Sequence, residues 1–260
     1  MRELEGPPEA PTVVLLHGWL ATADLNWFTC YAELGRHFRV VALDQRGHGQ
    51  GIRSRHPFRL ADCAGDVAAV IESLGAGPAI LVGYSMGGPI AQLTWRDHPA
   101  TVRGLVLCAT SSNFPNSTPS RTVVSAIGYG IAAAPPVLRR RLIARALSRG
   151  ATRRDYRAWL LQQVGDHRVR DLLEAGHELG RFDSRSWIGS VDVPTAVLAH
   201  TEDTVVPTRR QRRLAAAIPG ATVHEVAGDH LAVATNADVF VPTLVDACLE
   251  VAGAERAQAA

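Results

Sequence analysis

Ser85 stands in the pentapeptide Gly83-Tyr84-Ser85-Met86-Gly87, between the apolar run Ala79-Ile80-Leu81-Val82 and a helical pattern ending near His98-Pro99. A serine hydroxyl is a weak nucleophile until a neighbouring base takes its proton. A serine on a tight turn between a buried strand and a helix is held in a strained conformation with its hydroxyl exposed. Glycines two positions to either side remove the Cβ atoms that would clash there. The following helix directs its positive end at the same spot, where a developing oxyanion would sit. The chemistry implied is nucleophilic attack on a carbonyl carbon. It calls for a base, an acid to orient that base, and amide donors for the oxyanion.

Such groups meet only if the fold collects them. Thr12-Val13-Val14-Leu15-Leu16 is continuously apolar, as a strand covered on both faces should be. Arg39 to Leu43, Ala79 to Val82, Gly104 to Cys108 and Thr195 to Ala199 repeat the theme, and Ala221 to Val226 is a weaker sixth run. Between the second and third, Leu60, Cys63, Val67, Val70, Ile71 and Leu74 recur at helical spacing, and Gly75 supplies a stop. Strands alternating with helices predict an α/β fold with a mostly parallel, doubly wound sheet. The alternation breaks from 111 to 188, where Ser125 to Ala134, Val137 to Leu147 and Tyr156 to Val164 read as helical. The expected organisation is a core of residues 1–110 and 189–260 with a helical insertion, 111–188, after the strand ending near Cys108.

Composition narrows the classes. At 47% hydrophobic and 20% charged, the 260 residues suit a soluble globular protein. No apolar run approaches the roughly 20 residues needed to span a bilayer, so no stable membrane insertion is expected. The acidic, proline-rich start does not read as a signal peptide, and a cytoplasmic location is expected by default. Cys30, Cys63, Cys108 and Cys248 lie far apart and read as small buried hydrophobes rather than disulfides or metal ligands. No His-Glu-x-x-His, lysine-bearing phosphate loop or dinucleotide fingerprint occurs, so neither a metal nor a cofactor is expected. All 27 basic residues are arginine and the net charge is only +2; no arginine–aromatic interleaving suggests a nucleic-acid partner. Nothing in the sequence sets an oligomeric state.

A base and an acid occur where strands end. Asp203 follows the fifth run in His200-Thr201-Glu202-Asp203-Thr204-Val205-Val206-Pro207, and His230 follows the sixth in Ala227-Gly228-Asp229-His230-Leu231. Glu202 and Asp229 are rival acids, although an acid adjacent to His230 is poorly placed to reach its Nδ1. With Leu16-His17-Gly18-Trp19 and Asp44-Gln45-Arg46-Gly47-His48-Gly49, these motifs resemble, in order and spacing, the α/β-hydrolase superfamily over nearly the full chain. The resemblance implies Ser85 as nucleophile, His230 as base and, from its Asp-x-x-x-Pro register, Asp203 as acid. It implies the amides of Trp19 and Met86 as oxyanion donors and the insertion as a cap over the site. His17 and His48 read as braces of their turns. Trp27 and Phe28, with Tyr84 beside the nucleophile, are candidate substrate contacts; Trp27 and Phe28 read equally well as core.

The expected function is hydrolysis of a carboxylic ester, lactone or thioester of a small to medium acyl substrate. Carbon–carbon bond hydrolases and cofactor-free haloperoxidases or perhydrolases share such elbows, and a non-catalytic ligand-binding relative is the different-class alternative. A serine at the elbow argues against haloalkane dehalogenase and epoxide hydrolase chemistry, which uses aspartate there. Two departures from the family stand out. Only 11 residues precede Thr12, so the sheet is expected to lack its first edge strand or two, unless the start codon is misassigned. Gly51 replaces the usual serine.

Residues 110 to 190 hold 13 arginines against 6 acidic residues. These either line a solvated helix face or steer an anionic substrate; Arg139, Arg140 and Arg141 cannot all point inward from one helix. If the face is merely solvated, matched neutral and carboxylate-bearing esters turn over with equal kcat/KM, and a marked preference for the anionic ester identifies steering.

Overall fold

The computed structural model describes residues 1–114 and 169–258, with positions 135 and 138 as isolated additions. Seven strands form one sheet: β1 (Arg2–Leu4), β2 (Thr12–Leu16), β3 (Arg39–Leu43), β4 (Ala79–Tyr84), β5 (Val102–Cys108), β6 (Thr195–His200) and β7 (Thr222–Val226). Their order is β1-β3-β2-β4-β5-β6-β7, all parallel except β1, which runs antiparallel to β3. The registers Leu16↔Gly83 and Tyr84↔Cys108 bring the carboxyl ends of β2, β4 and β5 level, and the turns that follow them share one rim.

The continuous apolar runs are sandwiched between two helical layers. On one face Val14, Leu16, Leu81, Leu105 and Leu107 pack with α3 (Leu60–Ser73) and α4 (Gly87–Asp97), and Leu214 of α6 (Thr208–Ala217) joins them. The alternate residues Val13, Leu15, Ile80, Val82 and Val106 face α1 (Ala23–Trp27), α2 (Tyr31–Leu34) and α8 (Ala237–Gln258). The two-residue period of a strand explains how one sequence run serves both cores. The short α7 (Ala232–Thr235) follows the His230 loop, and Gly75, at φ 53°, ends α3 in the left-handed region.

The edge expectation holds in its smaller form: one strand, β1, precedes β2 among the described residues and supplies an antiparallel edge. The segment Arg2-Glu3-Leu4 carries no apolar run, since it is largely exposed; polar pairing holds it instead. Arg39 grips Glu3 at 2.6 Å, and Arg2 grips Asp24 of α1 at 2.6 Å. A side chain at Gly6 would lie 2.4 Å from the backbone of Phe38, so the connection from β1 crosses directly over that turn.

The three helical patterns expected at 125–134, 137–147 and 156–164 fall outside the described residues. Beyond them lies α5 (Val169–Arg181), which the sequence reading did not assign; Gly176 and Gly180 dilute its apolar stripe of Leu172, Ala175 and Leu179. Asn113 and Asp183 form an antiparallel bridge, and the Ser184 amide donates to the Ser112 carbonyl at 2.7 Å. The chain therefore leaves and rejoins the core at adjacent points. All four cysteines are buried and free, as expected of small hydrophobes.

One contact between sheet and helix is tight enough to test. A Cβ at Gly104 in β5 would sit 2.3 Å from Val251 Cγ1 of α8. Gly104→Ala should cost about 1–3 kcal/mol by overpacking, and adding Val251→Ala should recover part of that loss. Urea denaturation of the single and double variants measures the coupling.

Candidate active site

The turn after β4 places Ser85 at φ 51°. For a non-glycine residue this conformation costs of the order of 1–3 kcal/mol and persists only where packing enforces it. The packing is evident. A Cβ at Gly83 would lie 2.5 Å from the Gly87 carbonyl oxygen, one at Gly87 would lie 2.1 Å from the Leu16 carbonyl oxygen, and one at Gly88 would lie 2.2 Å from Thr110 Oγ1. The start of α4 thus lies directly on the ends of β2 and β5. The Ser85 amide donates to Cys108 at 2.9 Å, while its carbonyl accepts from the Gly88 amide at 3.0 Å and the Thr110 hydroxyl at 2.8 Å. Leu20 and Ala109, at φ 67° and 48°, share the same rim, so three of the four positive-φ non-glycine residues among the described residues gather here.

Asp203 and His230 meet Ser85 across that rim. His230 Nε2 lies 3.0 Å from Ser85 Oγ and its Nδ1 lies 2.7 Å from Asp203 Oδ2. The remaining capacity of the Asp203 carboxylate is filled: Oδ1 accepts from the Val205 and Val206 amides, each at 2.8 Å, and Oδ2 also accepts from Gln211 Nε2 at 3.0 Å. A buried carboxylate satisfied this fully is held as an acceptor in one orientation. The rivals are not so placed. Glu202 is exposed, and Asp229 turns to the Leu231 amide at 2.8 Å.

On the opposite side of Ser85, the Gly18 amide donates to Asn26 Oδ1 at 3.0 Å, and the Gly18 Cβ position lies 3.3 Å from Ser85 Cβ. Among the described residues, nothing accepts from the neighbouring amides of Trp19 and Met86. His17 braces this turn as expected. Its Nε2 accepts from the Gln45 amide at 2.8 Å, which leaves the proton on Nδ1 for the Gly18 carbonyl at 2.8 Å. Burial pushes its pKa down, with the Gly18 bond opposing. His48 is also buried, its Nδ1 lying 3.1 Å from the Arg46 carbonyl. Gly51 has a local cause: a Cβ there would meet the Gln45 carbonyl oxygen at 2.3 Å.

These elements find their counterpart in known proteins. A family model described as the alpha/beta hydrolase fold matches residues 11–237. The chain belongs to the α/β-hydrolase family. It is 31% identical over 224 residues to a pimeloyl-[acyl-carrier protein] methyl ester esterase of Chromobacterium violaceum, covering 84% of this chain and 85% of that one. It is 28% identical over 247 residues to a poly(3-hydroxyalkanoate) depolymerase of Ectopseudomonas oleovorans, covering 92% and 85%. Among solved structures, the enol-lactonase of Burkholderia xenovorans superposes with a TM-score of 0.80 at 24% identity, covering 96% of this chain and 95% of that one.

Within this α/β-hydrolase, the other expected contacts divide. Trp27 and Tyr84 are buried in the core beneath the elbow, their rings edge to face at 5.8 Å. The Tyr84 hydroxyl donates to the His230 carbonyl at 2.8 Å, so it supports the His230 loop from the core. Burial holds the Tyr84 hydroxyl well above its ordinary pKa, as a neutral donor. Phe28 is half-buried. The sequence reading missed Gln211, Thr110 and Asn26. Gln211 had a readable signal: it is a polar residue on the buried stripe that α6 shares with Leu214 and Ala215. Among the described residues, no three His, Cys, Asp or Glu side chains group as metal ligands would, and no helix is long and apolar enough to cross a membrane.

A second histidine adjoins the site. His200 is fully buried against Tyr84 and Phe240, and neither ring nitrogen makes a well-formed hydrogen bond among the described residues. Burial pushes its pKa down from 6.5 to about 4, with Asp203 opposing. The unfolded chain takes up a proton below its own pKa of 6.5 that the folded chain refuses until about 4. Stability is therefore whole above that window and is lost as pH falls through it, by up to about 3 kcal/mol from this one group. His200→Asn should flatten the fall in urea-derived stability between neutral pH and about pH 4; an unchanged slope assigns the acid sensitivity elsewhere.

Proposed function

We propose that this chain is a serine hydrolase cleaving a carboxylic ester, or a lactone or thioester, of a small to medium acyl substrate. The observation that carries the reading is the continuous path from Ser85 Oγ to His230 Nε2 at 3.0 Å and from His230 Nδ1 to Asp203 Oδ2 at 2.7 Å. Its support is the strained elbow that presents the serine. The names of the relatives, an esterase, a depolymerase and an enol-lactonase, belong to the same class of acyl chemistry.

In this mechanism Ser85 Oγ attacks the carbonyl carbon while His230 Nε2 takes the hydroxyl proton. Asp203 holds the imidazole with Nδ1 protonated and stabilises the imidazolium. The C–O π bond opens to an oxyanion, which accepts from the amides of Trp19 and Met86, each donor contributing about 3 kcal/mol in comparable sites. Collapse expels the alcohol, which takes its proton from His230 and leaves Ser85 as an acyl ester. Water, deprotonated by the same His230, then attacks the acyl carbon and releases the acid. Residues 111–188 serve as the cap that shapes the acyl pocket: they are inserted between β5 and β6, and their ends meet at Asn113 and Asp183 on the catalytic rim.

Ser85→Ala should lower turnover of p-nitrophenyl esters by about four orders of magnitude without lowering the melting temperature. A serine-directed phosphonate should label the native chain once and leave the variant unlabelled. Retained turnover by the variant would remove Ser85 from the mechanism.

A further inference from the structure

Trp19 contributes its backbone amide to the mechanism proposed above, yet its side chain turns the other way, into the insertion. The indole Nε1 donates to the Leu172 carbonyl of α5 at 2.9 Å. That carbonyl lies one turn before Gly176, so it also faces the Gly176 amide of its own helix. The missing side chain at 176 is what opens it: a Cβ there would lie 2.9 Å from Trp19 Cζ2 and 3.3 Å from Cε2. Glycine in a helix interior costs about 1 kcal/mol relative to alanine, so its presence in α5 calls for a compensating contact, and the indole provides one.

The same helix is fastened to the loops around the site at two further points. Glu174 accepts from the Phe58 amide at 2.8 Å, and Asp171 packs against Gly47, with Arg53 reaching its Oδ2 at 3.6 Å. Opposite Trp19, the turn is pinned by Asn26 on the Gly18 amide. The amide between these two anchors cannot shift without moving the indole.

We infer that the Trp19 indole is a positioning residue: seated on the Leu172 carbonyl and the bare Gly176 backbone, it couples the placement of α5 to the oxyanion amide beside Ser85. The inference rests on the serine-hydrolase reading. The end of the insertion then acts on rate as well as on what the pocket admits. A helix that is displaced carries the indole with it and misaligns the donor, while the triad stays intact.

Trp19→Phe tests this directly, because it keeps the backbone amide and removes only the tether. Gly176→Ala displaces the ring from the other side. Each should lower kcat about ten- to a hundredfold on a short p-nitrophenyl ester, the size of loss expected from a small misplacement of a reacting group. KM should stay within about twofold. Affinity for a trifluoromethyl ketone, which forms a tetrahedral oxyanion on Ser85, should fall by the same factor as kcat. Trp95→Phe is the matched control. It deletes an indole bond to Asp192 of 3.0 Å away from the site, and should lower the melting temperature while leaving kcat unchanged. Wild-type kcat in Trp19→Phe or, should that variant not fold, in Gly176→Ala overturns the inference, provided Ser85→Ala is inactive. An active Ser85→Ala overturns the underlying mechanism instead.

Discussion

The structure depends on how closely the start of α4 lies against the ends of β2 and β5. At Gly87 and Gly88 the helix backbone approaches the Leu16 carbonyl and Thr110 to distances no Cβ could tolerate. This contact leaves the chain no route from β4 to α4 except through a left-handed residue, and Ser85 is that residue. Its strain is offset by three hydrogen bonds, from the Ser85 amide to Cys108 and to its carbonyl from Gly88 and Thr110. In the proposed mechanism a side chain thus held has little freedom to lose on reaching a transition state, so packing away from the substrate contributes to rate.

The acid side is built on a different principle. Asp203 is buried, and a buried carboxylate is costly unless every lone pair is used. Two amides of its own loop, Gln211 of α6 and His230 use them. Gln211 also donates to the Val206 carbonyl and accepts from the His200 amide, so one side chain ties β6, the acid loop and α6 together. Ser85 and Asp203 are therefore fixed by separate constraints, backbone packing for one and polar saturation for the other. His230 joins them, with Tyr84 supporting its carbonyl from the core.

Much of this was legible in the sequence because short-range signals produced it. The apolar runs gave six of the seven strands, and each strand's end pointed to the loop after it. The elbow announced itself because its glycines are required by contacts within a few residues or with the adjacent strands. The edge strand β1 was hidden because an exposed strand held by Arg39–Glu3 and Arg2–Asp24 needs no apolar pattern. Helix α5 was hidden for the opposite reason: Gly176, which weakens its local signal, is justified only by Trp19, more than a hundred residues earlier in the chain. Trp27 follows the Trp19 turn and Tyr84 directly precedes Ser85, but both face the core, since strand and helix geometry, not proximity along the chain, sets which side a residue takes. Thr110 and Asn26 work through single bonds to the Ser85 carbonyl and the Gly18 amide, which no periodicity encodes.

The Asn113–Asp183 bridge has a consequence for how such a protein can change. It is reinforced by Ser184 on Ser112 and by Arg210, which bonds the Asn113 side chain at 2.9 Å and lies over Phe114. Together they hold the two ends of the intervening chain side by side on the core. A loop whose ends are already joined adds closure entropy only with the logarithm of its length, about 0.6 kcal/mol for each doubling. Lengthening, shortening or exchanging that stretch leaves the register of β5 against β6 untouched. On the function proposed above, heredity can then treat the two parts separately: the reaction is inherited with the sheet, and its range of substrates can be rewritten between two fixed points.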